Sequence, residues 1–220
     1  MSTPALVPSP LYGLRTWSVA GERGAERLAG PRQGTPWPYD GAWLEARCEE
    51  LHAAPAPGCD CGIHAWHAGA HGARRVLALP REIPGVVEAE GAVELHHDGF
   101  RAERARPYAL FAGPHANARL VRRVADAYGI DAVAVHDPDA IVAWCRARGV
   151  GLAPDVLERL LGPDVVAEAR RVRRRRARTF GLRIAAALAA IAVLVGVGIA
   201  ATDSPGDRTL NGRAGEIRVR

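Results

Sequence analysis

Lysine is absent from this 220-residue chain, and all 29 basic residues are arginine. Alanine, glycine and proline are abundant, so the arginine count reads as a coding bias, and an arginine at any one position is weak evidence of function. No glycine-rich phosphate loop of the GxxxxGK[ST] type occurs, and no GxGxxG precedes a helix. The GxSxG elbow and the HExxH zinc motif are missing as well. Serine is scarce, at Ser2, Ser9, Ser18 and Ser204, with no base patterned beside any of them. Serine hydrolases and P-loop nucleotide enzymes are thereby set aside. No internal repeat is visible.

One long apolar run stands out instead. Residues 184–201 (IAAALAAIAVLVGVGIAA) carry no charge and would span about 27 Å as a helix, close to a hydrocarbon core of about 30 Å. Arg170, Arg171, Arg173, Arg174, Arg175, Arg176, Arg178 and Arg183 precede it without a single acid. By the positive-inside rule, the large N-terminal part is expected on the cytoplasmic side of a single-pass anchor in the cell membrane. The arginines are then placed to hold anionic lipid head groups. Gly196-xxx-Ala200 and Ala185-xxx-Ala189 permit close pairing of two such spans, hence a homo-oligomer.

The net charge of +5 is carried by this region. Without the eight juxtamembrane arginines it falls to −3, and the tail from Thr202 contributes +1, so residues 1–169 stand at −4. A mildly acidic domain argues against a nucleic-acid partner, which would select a basic footprint.

Residues 1–10 form a Pro/Ser-rich lead-in without the apolar stretch of an export signal, expected to be disordered. Leu11–Ala20 reads as a strand, with a short second one near Leu28. The spacing of Leu44, Cys48 and Leu51 predicts a helix over Asp40–His52. A turn then enters a strand at Cys59–His67; Ala70–Arg74 reads as loop, and Arg75–Leu79 and Gly85–Ala89 as β-formers. Alternation about Asp98-Gly99 predicts a hairpin turning on those two residues. Three helices follow. Asn117–Tyr128 ends at Gly129; a second is capped by Asp137 with Pro138 first; a third opens at Pro154, with Val156, Leu157, Leu160 and Leu161 inward. Strands first and helices second argue for an α+β domain. The expected organisation is a strand-rich region at 11–112, a helical region at 113–162, a basic juxtamembrane helix at 163–183, a transmembrane helix at 184–202 and a short external tail at 203–220.

The chemistry-bearing pattern is Cys48-x3-His52-x6-Cys59-x-Cys61. Three thiols and one imidazole suit tetrahedral zinc, and four protein ligands would make the site structural rather than catalytic. In a reducing compartment, packed thiols or a redox pair remain the other two readings of these cysteines. His64, His67 and His71 are alternative ligands, or a strand and loop without a role. His96 and His97 are adjacent on a strand, so at most one can line a site. Trp66, His97 and Arg101 mark a candidate ligand face.

Two segments, Cys48–Trp66 and Gly91–Leu110, resemble a family of uncharacterised actinobacterial and phage-associated proteins. The shared pattern falls on Cys48, His52, Pro55, Cys59, Cys61, Gly62 and Ile63, then on Gly91, Val93, His97, Gly99, Phe100, Arg101, Ala102, Glu103 and Ala105. The family implies no activity. A looser similarity, to small RNA-binding β-barrels of the PUA or ASCH type, rests on the hairpin and size alone. The expectation is a membrane-anchored binding or interaction module for a protein partner, with structural zinc. A tethered nucleic-acid or nucleotide binder is one alternative, and a metal-dependent enzyme using His64, His67 or His97 is the other.

Overall fold

A computed structural model describes residues 10–30, 34–114, 116–163, 165, 167 and 171. All but the last belong to one compact unit, Met1–Ala167. The expected span, the tail and every juxtamembrane arginine except Arg171 lie outside the described residues, as does the lead-in up to residue 9. Among the described residues, no helix is long and apolar enough to cross a membrane.

The chain order is β1 (Leu11–Ala20), β2 (Arg27–Ala29), β3 (Leu44–Glu45), β4 (Ile63–Trp66), α1 (Ala70–Leu77), β5 (Ile83–Leu95), β6 (Gly99–Ala112), α2 (Ala118–Tyr128), β7 (Asp131–Ala134), α3 (Pro138–Ala147) and α4 (Pro154–Leu161). This is the expected mixture of a strand-rich N-terminal region and short helices. The strands form one sheet that bends back on itself. β1 pairs with β5, β5 with β6 and β6 with β4, all antiparallel. β4 then returns to β1 through the single pair Leu14↔Trp66. β7 lies parallel to β6 beyond α2.

Alternation along the strands sorts side chains to the two faces of this sheet. Trp17, Leu28, Trp37, Val87, Phe100 and Leu110 form one core, closed by Val121, Val124 and Tyr128 of α2. Leu14, Val86 and Phe111 point the other way, where Val76 of α1 and Ile141 and Cys145 of α3 cover them. The Tyr128 hydroxyl accepts from the Leu28 N–H and donates to the Trp37 carbonyl, both at 3.0 Å and buried. Tyr128→Phe strands both groups and is expected to cost about 1–3 kcal/mol in a denaturant titration. An unchanged midpoint would mean water replaces the hydroxyl.

Several local expectations give way to tertiary pairing. Asp40–His52 is not a helix: Leu44 and Glu45 pair with Ala105 and Arg104 of β6, and the Ala46 N–H donates to the Glu103 carbonyl at 2.7 Å. Trp43 lies under the guanidinium groups of Arg104 and Arg106, 5.5 and 4.7 Å away. Leu51, at φ 60°, would break a helix in any case. Conversely, the expected loop at Ala70–Arg74 and strand at Arg75–Leu79 are helix α1. Its Gly72 permits the fit, since a Cβ there would meet the His67 carbonyl oxygen at 2.3 Å.

The β5–β6 hairpin is present, but it turns on His97-Asp98. Leu95 faces Phe100, and the His96 N–H donates to the Gly99 carbonyl at 2.8 Å. Gly99 is needed as a strand residue instead: a Cβ would lie 2.0 Å from the Ala65 carbonyl oxygen across the pair. Asn117 and Asp137 cap α2 and α3, and Gly129 closes α2 in the left-handed region, as their sequences indicate. Of the inward face assigned to α4, Val156, Leu157 and Leu161 are half-buried and Leu160 is 39% exposed.

Candidate metal centre

β3 and β4 lie end to end along one edge of β6. Ala46 bonds to Glu103, and Ile63 faces the next residue, Ala102. Residues 47–62 are therefore an excursion that leaves and re-enters one strand line with almost no gap. A compact surface loop with closely spaced ends needs packing or a crosslink of its own. Here the excursion is only partly buried, and the crosslinking chemistry sits inside it.

Cys48, His52, Cys59 and Cys61 all fall in this segment, with ligand atoms within 4.8 Å of one another. Cys48 Sγ is 3.7 Å from Cys59 Sγ and 3.3 Å from His52 Nε2, and Cys61 Sγ is 3.8 Å from His52 Nδ1. A zinc tetrahedron with Zn–S about 2.3 Å and Zn–N about 2.0 Å has S···S edges of about 3.8 Å and S···N edges of about 3.5 Å. The Cys48–Cys59 and Cys48–His52 Nε2 separations match such edges, and these four residues could hold a metal ion. A turn, closed by the Leu51 N–H donating to the Cys48 carbonyl at 3.1 Å, brings Cys48 and His52 together in place of the helix expected over Asp40–His52.

The surroundings favour a thiolate at Cys59 and oppose one at Cys48. The Cys61 backbone N–H, then the neighbouring side chains, pull the Cys59 thiol below its ordinary pKa, while burial pushes Cys48 up. His52 is raised by its bond to the Ala53 carbonyl and by Cys59. With Nδ1 donating to Ala53 at 3.2 Å, Nε2 keeps its lone pair for a metal.

Sequence reasoning missed the group that holds this loop to the sheet. Arg101 is 6% exposed. Its Nη1 donates to the carbonyl oxygens of Cys59 and Cys61, and its Nη2 pairs with the Glu94 carboxylate. Glu94 is the residue opposite it on β5, the last of three cross-strand pairs that also include Glu88–Arg106 and Glu90–Arg104. The spaced glutamates of VVEAEGAVEL and arginines of FRAERAR carried that signal. Arg101 is thus buried and engaged.

Of the other members of the expected ligand face, Trp66 is half-buried, with Arg75 6.0 Å from its ring. His97 sits at the hairpin tip, its Nδ1 2.9 Å from Asp98 Oδ1, and is not among the residues lining the groove beside the metal cluster. His64, His67 and His71 do not join the cluster. His64 lies 3.6 Å from Asp60, and the His67 ring, its pKa lowered by burial, is 2.8 Å from the His96 carbonyl.

That groove, open and ≈ 1430 Å³ in volume, runs from the metal loop past β4 to Arg15 and Trp37. Cys145 is buried, its thiol pushed up to about 11 by desolvation, which makes it a core residue. Compared with known protein families, curated proteins and solved structures, the chain matches none.

Proposed function

We propose that the N-terminal domain is a binding module in which one zinc ion, held by Cys48, His52, Cys59 and Cys61, fixes residues 47–62 as a wall of the groove. The observation that carries this is the excursion, whose ends meet on β6 and whose interior holds a tetrahedral-sized Cys3His set. Four protein donors fill the shell, so the ion shapes a surface and has no open position for substrate. The run at 184–201 and its flanking arginines support a membrane anchor with the domain on the cytoplasmic side and anionic lipid at the junction. Small-xxx-small spacing supports pairing of spans. The module then offers its groove to a partner at the membrane surface.

Nucleic acid fits this groove poorly, because Glu45, Glu49, Glu50, Asp60 and Asp98 are among its lining residues. A metal-dependent enzyme would require a coordination position open to solvent. Cobalt(II) exchanged into the purified, reduced full-length chain tests that point. A module with a closed shell gives an intense tetrahedral thiolate spectrum that azide and cyanide leave unchanged. A spectrum that shifts with either anion would replace the binding module by an enzyme.

A further inference from the structure

Most arginines on the sheet are neutralised in place; Arg101, Arg104 and Arg106 each have a glutamate opposite. Arg15 does not. It lies on β1, where the strand parts from β4 just after the pair Leu14↔Trp66. Its Nη1 bridges the widening gap to the His64 carbonyl, and its guanidinium carbon stands 5.5 Å from the Trp37 ring centroid. Its Nε is buried without a hydrogen-bond partner. Among the described residues no carboxylate lies within ion-pair distance of it. Glu82 acts on it only at longer range, and burial pushes its pKa down to about 10. A half-buried cation beside an indole, with no ion-pair partner among the described residues, lines this β1 end of the groove.

We infer that this end of the groove receives a carboxylate of the ligand, with Arg15 as its anchor. A guanidinium takes a planar carboxylate through two parallel N–H···O bonds, and a partly desolvated one gains more from it than an exposed one. The rest of the groove sets the remainder of the ligand. Five of its lining residues are carboxylic acids, which repel a polyanion and favour a neutral or cationic body. The ligand class is therefore a single carboxylate on a neutral or basic frame, either a free amino acid or the C-terminus of a basic peptide. This deepens the binding-module reading and rests on it.

The test uses the zinc-loaded full-length chain in detergent, titrated with L-arginine, with L-argininamide, and with a short arginine-containing peptide bearing a free or an amidated C-terminus. Binding is read by calorimetry. The free carboxylate is expected to bind at least tenfold more tightly than its amide. Arg15→Gln should erase that difference while zinc content stays at one per chain, and Arg15→Lys should keep part of it. Saturation by L-arginine alone assigns a small-molecule site; saturation by the free peptide alone assigns a peptide terminus. Equal binding of acid and amide, binding of neither, or an acid preference that survives in Arg15→Gln would overturn the proposal. Zinc content and the cobalt spectrum are separate readouts, so failure here leaves the stapled module standing.

Discussion

Cys59→Ser is expected to abolish zinc binding and to free residues 47–62 while the two cores stay folded. The reason is where the load falls. Trp17, Trp37, Phe100 and Leu110 share a core with Val121, Val124 and Tyr128 of α2, and no residue of 47–62 belongs to it. The excursion has little burial of its own: Glu49, Glu50 and Asp60 are exposed and Leu51 is 95% exposed. Without a crosslink it must be ordered against a closure entropy of about 2–3 kcal/mol for a loop of this length. Zinc at a Cys3His set supplies far more than that, since structural sites in small domains bind with about 10–16 kcal/mol. The variant should therefore lose at least about 3 kcal/mol in a zinc-containing denaturant titration. Limited proteolysis should cut between 47 and 62 in the variant and not in the parent. Resistance of that segment to protease, with metal absent, would show that packing alone orders it.

Arg101→Met is expected to be nearly as damaging, although the residue touches no metal. Removing the guanidinium leaves the Cys59 and Cys61 carbonyls without their donor and takes the arginine from Glu94, which stays partly exposed and 3.4 Å from His96. Losing the hydrogen bonds of a buried charged group costs about 1.5–3 kcal/mol. The outer-shell position predicts a further effect, a loss of about 10–100-fold in zinc affinity by chelator competition. Glu94→Gln with Arg101→Met separates the two. The double variant should regain part of the stability, because the unpaired carboxylate is gone, and little of the affinity, because the carbonyls are still unheld. If affinity and stability recovered together, Arg101 would be only a folding residue.

The parts of the fold that were legible are those set by local chemistry. Asn117, Asp137 and Gly129 mark helix ends because caps act within a few residues, and the β5–β6 hairpin follows from alternation. Asp40–His52 was not legible, since its apolar spacing fits a helix and only β6 reveals why Leu44 and Glu45 extend. Gly72 and Gly99 misled for the same reason. Each looked like a loop or turn residue, yet each is glycine because another backbone presses against it. The four candidate ligands and their grouping were readable from residue type and spacing, the turn that joins Cys48 to His52 was not, and the Arg101 clamp required the register of Glu94 on β5.

X-ray absorption at the zinc edge on the purified, reduced full-length chain reads the Cys3His shell itself. One zinc per chain is expected, with three sulfur neighbours at about 2.3 Å and one nitrogen at about 2.0 Å, and no oxygen. A folded chain without zinc, or a shell dominated by nitrogen and oxygen, would contradict the Cys3His assignment.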